Sequence, residues 1–449
     1  MRRLALIALL FTGCATLHLA PGEEDVPPVR ALHQMDSGEG ELTVTDGLNS
    51  VFANGWSGFV DDFRKSHKAL KNVRVIHQDN HTWDVAGFYE ASPFAEKLRL
   101  VFDDSGKLAG FWYYGFGSAP MTDAELQHAF EEVPGMVSAY VQAAEHREIA
   151  FGYRQDQPQP VASQYKTLLL ARACVEVGRG ERQLTDRLAL PAEVRGTPSC
   201  VLCKFDPGLQ PTLHDYLHLL VSDSDNTSAD FLRDLLGIDA ITRTAEAAGV
   251  THVPPMITTE GLFALECGLG PLRGRDPKDQ GAYLQALGTD ARVAAADDAA
   301  RDGFSLGPEA FNDRCNQGKS TADSRKAISH TIDWPLRADE LVALYTNAQL
   351  GQLDGEVSSR CFLRFMGDGG SGPIGLDDHF LSAGAKNGIE TDVRSLGLVV
   401  QSDRGPIAVS VSNFAFPDDK ADEALGRVYE AAHALVESTY ARLPEKVNK

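Results

Sequence analysis

Two blocks of different hydrophobic period divide the chain. Over 46–70, DGLNSVFANGWSGFVDDFRKSHKAL carries a helical pattern of apolar positions. VRVIHQ, HTWDVAGFYE, KLRLVF and LAGFWYYGF then read as strands, the last two joined by the turn DDSG. Helices followed by a meander predict a small α+β unit over 41–117. SAPMTDAEL reads as a linker running into a helix, after which MVSAYVQAA and EIAFGYR return to the strand pattern. A long helical middle follows. SLGLVVQSD and PIAVSVSNF are late strands, and ADEALGRVYEAAHALVESTYARL is a terminal helix. Both ends of this second block, 120–449, are thus expected to meet in one sheet. The segment 285–325 has no decisive pattern, and no internal repeat is visible.

The first twenty residues change the picture. MRRLALIALLFTGCATLHLA has two arginines, a short apolar run and small residues ahead of Cys14, the layout of an export signal. FTGC resembles the lipobox of bacterial lipoproteins, which implies a signal over 1–14 and a lipid on Cys14. A periplasmic or outer-membrane lipoprotein is expected, touching the membrane only through that anchor. Residues 15–40, acidic and rich in Pro and Gly, read as a flexible tether. Export implies an oxidising compartment. The six cysteines beyond Cys14 (Cys174, Cys200, Cys203, Cys267, Cys315 and Cys361) are an even number that favours disulfides. The net charge of −21, from 42 basic and 63 acidic side chains, argues against nucleic acid as a partner.

Chemistry enters at PVASQYKTLLLARACVEV, residues 160–177. Ser163 and Lys166 stand three apart at the start of an apolar helix. Alone, the pair reads first as an N-cap with a surface charge and only second as a nucleophile with its base. Two further stretches weigh on the choice: Ser224-Asp225-Asn226 in LVSDSDNTSADFLRDLLG, and Lys386-Asn387-Gly388 in LSAGAKNGIETDV ahead of the late strands. S-x-x-K, S-D-N and K-T-G, in that order, are the motif set of class A β-lactamases and penicillin-binding proteins. The chain has the first two intact and the third as K-N-G.

Over roughly 120–449 the chain therefore resembles the class A β-lactamase-like serine hydrolases. That resemblance implies an antiparallel sheet flanked by helices, with a helical subdomain. The added N-terminal unit is similar to the isomerase-like domain of the two-domain branch found in clavulanic-acid gene clusters, which implies a ketosteroid-isomerase-like fold there. The implied roles are Ser163 as nucleophile, Lys166 as its base, Ser224 as proton relay and Lys386 as partner of an anionic substrate group. Asn226, Asn387, Gly388 and Ile389 would bind substrate, the backbone N–H groups of Ser163 and Ile389 forming the oxyanion hole. Substrates would be β-lactams or small esters and amides. A D,D-peptidase acting on peptidoglycan and a penicillin-binding receptor with negligible turnover are the alternatives. No cofactor or metal is implied.

The sequence departs from that family in two places. Asn387 replaces a hydroxyl residue. Glu260, in PPMITTEGLFALE, lies at about the right separation from Ser224 for a deacylation base, but its fourth successor is Ala264 where the family has asparagine. A helix-start glutamate after Thr258 or Thr259 is the better reading of it. Cys200 and Cys203 with His214 and His218 have the outline of a zinc finger. Their spacing and compartment favour instead a disulfide from Cys200 or Cys203 to Cys174. His77, Asp79, His81, Asp84 and Glu90 are expected to be strand-end polar residues facing water.

Overall fold

The computed structural model describes residues 26–38, 42–192, 199–317, 322–370 and 379–445. It divides into two compact units, 1–119 and 120–449. Cys14, with the expected export signal over 1–14, lies outside the described residues.

The smaller unit packs three helices, α1 (Pro27–Ser37), α2 (Asp46–Val51) and α3 (Gly55–His67), with an antiparallel meander of β1 (Leu70–Asp79), β2 (Thr82–Tyr89), β3 (Glu96–Phe102) and β4 (Leu108–Ser118). One correction concerns α1, which occupies part of the expected tether. Val29, Ala31, Leu32 and Met35 recur at helical spacing and are buried. That apolar stripe outweighs the Pro and Gly around it, and Pro27 sits at a helix start, where its missing N–H costs nothing. Trp56, Phe63 and Phe111 centre the core. The polar residues noted on the strands do not converge. Asp84 is buried and takes both oxygens to Arg99 (2.6 and 2.8 Å), while His77, Asp79, His81 and Glu90 are exposed.

In the larger unit, α4 (Asp123–Glu132) leads into β5 (Met136–Ala143) and β6 (Ala150–Tyr153). A short pair, β7 (Gln159–Pro160) with β8 (Pro335–Leu336), brackets the helical part of the chain. That part comprises α5 (Lys166–Gly178), α6 (Leu213–Ser222), α7 (Asn226–Leu236), α8 (Ile238–Ala247), α9 (Thr259–Glu266), α10 (Pro277–Gln285), α11 (Thr289–Gln317, broken at Gly307), α12 (Ala322–Ile332), α13 (Ala338–Gln349) and α14 (Glu356–Asp368). The segment 285–325, undecided from its pattern, is thus largely helical. β9 (Phe380–Glu390), β10 (Val393–Ser402) and β11 (Pro406–Phe414) complete a five-stranded antiparallel sheet in the order β6-β5-β11-β10-β9, and α15 (Ala421–Arg442) closes the chain. The late strands therefore pair with the early ones, Val409 opposite Val141.

β10 and β11 are buried along almost their whole length. Helices cover both faces, so these strands read as continuous apolar runs rather than alternating ones. α5 is buried all round through Leu168, Leu169, Leu170, Ala171 and Val175 and forms the axis of the helical part.

The cysteine pairing corrects the expected one. Cys174 on α5 bonds Cys361 on α14, which packs directly against α5. Cys200 bonds Cys203 and closes a four-residue loop. Cys174 points to the α14 side of its helix, and a pairing set by helix packing cannot be reached from the other side. Cys267 is disulfide-bonded as well. With Cys200 and Cys203 joined to each other, the zinc outline has no thiolates left. His214 and His218 lie on one partly exposed face of α6, His218 against Asp368 (2.9 Å).

Candidate active site

The turn that carries Ser163 is built from strain and close approach. Ala162–Tyr165 form a single 3-10 turn ahead of α5, and Ala162 has φ 46°, a left-handed conformation costly for a residue with a Cβ. Ser163 caps no helix, and its hydroxyl makes no hydrogen bond among the described residues. The turn is held from below by Gln164, whose buried amide donates to Tyr345 Oη (3.2 Å) and Ser410 Oγ (2.9 Å). β9 is the edge strand on which the turn lies. A Cβ on Gly388 would overlap the carbonyl oxygen of Val161 and the hydroxyl of Ser395, which itself donates to Val161 O (2.5 Å). Glycine is required there so that strand and turn can touch. As an edge strand, β9 leaves half of its backbone groups beside Ser163 free of the sheet.

Lys166 and Lys386 converge on Ser224. Lys166 Nζ donates to Asn226 Oδ1 (2.6 Å), to the carbonyl of Ser224 (2.5 Å) and to Ser224 Oγ (3.3 Å). Lys386 Nζ donates to the same hydroxyl (3.0 Å) and to Asn387 O (2.7 Å) and Oδ1 (3.3 Å). Both amines are fully buried. Burial lowers Lys166 from 10.5 to about 7 against the opposing pull of Asp225 and Asp230. Burial, then the neighbouring charge of Lys166, brings Lys386 well below the ordinary lysine value. A hydroxyl suspended between two such amines can accept a proton from one side and return one to the other.

Asp225 fixes this loop. Its carboxylate accepts from the N–H of Ser228 (2.5 Å), capping α7, and from the N–H groups of Val201 and of Leu202 (3.2 Å). The Asn226 N–H donates to Ser199 O (2.7 Å). The disulfide-closed segment 200–203 is thereby tied to the motif, and Ser224 is held at φ 55°.

A cavity of about 500 Å³ opens over these groups, lined by Ser163, Ser199, Ser224, Asn226, Asn387 and Ile389, with Trp334 and Glu390 among the other walls. The structure thus brings together Ser163, Lys166, Ser224, Asn226, Lys386, Asn387, Gly388 and Ile389. Asn387 turns its amide oxygen to Lys386, which leaves its NH₂ as the group able to donate to a ligand.

Glu260 differs. It sits in the first turn of α9 behind the cap Thr258, and its backbone N–H donates to Asp230 (3.0 Å). Thr259, Leu262 and Phe263 from the same turn line the cavity, and Glu260 is not among its walls. Sequence reasoning missed the support beneath the motifs: Gln164, Ser395, Trp334 stacked on Tyr165 at 3.8 Å, and Asp230, which receives both the N–H (2.6 Å) and hydroxyl (2.9 Å) of Thr259. Asp230 is buried, and desolvation pushes its carboxyl up to about 7. The sequence carries no local signal for Gln164, which stands in the polar stretch Ser163–Lys166 ahead of the apolar run.

Residues 121–301 match the model of the β-lactamase enzyme family. Among solved structures, the TLA-3 extended-spectrum β-lactamase is 13% identical at a TM-score of 0.50, covering 72% of this chain and 100% of that one. The β-lactamase from Sphaerobacter thermophilus DSM 20745 is 21% identical (TM-score 0.49, 72% and 98% covered), and PBP-A is 15% identical (TM-score 0.48, 72% and 98% covered). No curated protein matches the chain. The larger unit has the β-lactamase fold. Among the described residues no helix is long and apolar enough to cross a membrane.

Proposed function

We propose that the chain is an exported active-site serine hydrolase that forms an acyl-enzyme on Ser163 with β-lactams or small esters and amides. The observation that carries this reading is the Lys166–Ser224–Lys386 network beside a solvent-reachable Ser163 that follows the left-handed Ala162. In acylation, Ser163 Oγ attacks the carbonyl carbon and its proton passes to neutral Lys166. The oxyanion is met by the N–H groups of Ser163 and Ile389. As the tetrahedral intermediate collapses, Ser224 delivers a proton to the leaving nitrogen or oxygen and is reprotonated across its bonds to the two amines. Lys386 and the Asn387 amide hold an anionic group of the substrate. The leader, with Cys14 as its lipidated residue, would anchor the chain at the periplasmic or outer membrane. The smaller unit would be the isomerase-like partner domain that the sequence resembles.

A fluorescent penicillin and a fluorophosphonate probe test the assignment. Both should label the wild type and fail on Ser163→Ala. Labelling that survives the substitution refutes it.

A further inference from the structure

A second cavity, of about 480 Å³, lies along the later turns of α5, away from Ser163 at the helix start. Its walls are Arg172 and Val175 of α5, Arg179 at its C-cap, Ala240, Arg243, Thr244 and Ala247 of α8 with its C-cap Ala248, and the turn Gln352–Asp354 before α14. Its charge is uneven. Arg179 is neutralised by a two-pronged bond to Asp354 (2.7 and 3.0 Å). Arg172 shares Glu176 with Arg182, giving one N–H to it at 2.7 Å, and its buried Nε has no acceptor. Arg243 makes no ion pair among the described residues, although it lines the cavity. Three arginines, 172, 179 and 243, line the cavity against one carboxylate, Asp354, while Glu176 lies outside the walls and pairs with Arg172 and Arg182. The cavity thus keeps a positive surplus in a chain whose net charge is −21.

Neutral donors add to it. The Thr244 hydroxyl and the Gln352 amide line the space and make no side-chain hydrogen bond among the described residues. The floor between them is apolar, from Val175, Ala240, Ala247 and Leu353. The carbonyl end of α8 would repel an anion. The carbonyl of its C-cap, Ala248, accepts from Asn347 Nδ2 (3.0 Å). Asp354, which holds Arg179 at the rim, is itself kept in a left-handed conformation (φ 51°), so this corner is assembled against a backbone cost.

We infer that this cavity binds a small organic anion, with a carboxylate or phosphate against Arg243, Thr244 and Gln352 and a compact apolar body on the Val175–Leu353 floor. The inference stands apart from the reading of Ser163, since no group of that site lines this cavity.

Calorimetric titration of the purified chain tests it with benzoate, phenyl phosphate, inorganic phosphate and benzyl alcohol. Benzoate and phenyl phosphate should saturate one site at least about tenfold more tightly than benzyl alcohol, as expected for a charge-assisted hydrogen bond. Benzoate binding as tightly as phenyl phosphate marks a carboxylate ligand, and a clear preference for the latter a phosphate. Arg243→Ala, at an exposed position, should weaken both by a similar factor. Protein labelled at Ser163 with a fluorophosphonate should bind them unchanged. The inference fails if benzyl alcohol binds as well, if Arg243→Ala leaves the affinities alone, or if labelling Ser163 abolishes binding. Inorganic phosphate binding as tightly as phenyl phosphate overturns the role given to the apolar floor.

Discussion

Acidifying below neutrality should switch off acylation, because Lys166 is a base only when its amine has lost a proton. Its burial, which outweighs the opposing pull of Asp225 and Asp230, lowers its value to about 7. With that value about half of the amines are neutral at pH 7 and about a tenth at pH 6, whereas an ordinary lysine would be neutral in fewer than about one chain in a thousand at pH 7. The rate constant for acylation at low substrate should therefore climb about tenfold per unit up to pH 7 and level off above it. Lys386 acts on the other limb. Its lowered value means that it loses charge earlier on the alkaline side than a free lysine, and a substrate carboxylate then loses its partner. Nitrocefin, which carries a carboxylate, should show the alkaline fall, and p-nitrophenyl acetate should not. Stopped-flow acylation between pH 5.5 and 9.5 with both substrates is the assay. A flat profile, or one still climbing tenfold per unit beyond pH 9, would refute Lys166 as a base activated by burial. The same shift couples to folding. Between about pH 7 and the ordinary lysine value the unfolded chain holds a proton that the folded chain does not, so this group makes stability rise with pH across that window.

Three further outcomes are expected. Replacing Cys174 and Cys361 by alanine removes a cross-link spanning 187 residues, worth about 5 kcal/mol by loop entropy, against about 2 kcal/mol for Cys200–Cys203; thermal melts should rank the two losses in that order, and equal losses would contradict it. Gly388→Ala should slow acylation by about tenfold or more while the fold survives, because a Cβ there pushes β9 off the nucleophile turn; pre-steady-state labelling with circular dichroism reads both, and unchanged labelling counts against the contact. With β-lactams, turnover should show a burst of one product per chain and then a steady rate about 100-fold or more below that of an efficient β-lactamase, because Glu260 does not line the cavity. Fast turnover without a burst, abolished by Glu260→Gln, would make Glu260 the deacylation base.

What the sequence could tell about this protein follows from how local each feature is. The meander and the late strands were legible because period two and turn residues are written into consecutive positions, as in KLRLVF-DDSG-KLAGFWYY. Ser163 and Lys166 were legible because helical spacing carries one toward the other, and the two later motifs could be matched in order. The contact itself was not. Lys166 spends its three N–H bonds on Ser224 and Asn226, sixty residues away, rather than on Ser163 one turn back. Helical spacing sets which side chains are near, but satisfaction of a buried ammonium decides which of them it bonds. Cysteine pairing failed for a related reason. Proximity in sequence favoured the 200–203 segment, whereas α5 is buried all round and turns Cys174 toward α14.

The Pro and Gly around residues 27–37 suggest a tether, and the separation of Glu260 from Ser224 suggests a base. In each case one local feature, a Pro/Gly composition or a separation from Ser224, stood for a three-dimensional relation. Burial reverses both: Val29, Leu32 and Met35 are worth more under the sheet than in water, and Asp230 claims the α9 start through the N–H groups of Thr259 and Glu260. That anchoring turns Thr259 and Leu262 to the cavity and leaves Glu260 out of its walls. A base for the hydrolytic water has to come from a group that the cavity admits. Among the carboxylates, Asp223 and Glu390 meet that condition, Asp223 exposed and already holding the Ser222 hydroxyl (2.6 Å), Glu390 accepting from Thr391 (3.0 Å). The slow deacylation expected with Glu260 outside the walls would follow from how α9 is pinned; releasing that pin through Asp230→Asn should alter turnover while Ser163 still labels, with the acylation profile moved to lower pH because Asp230 also pulls on Lys166.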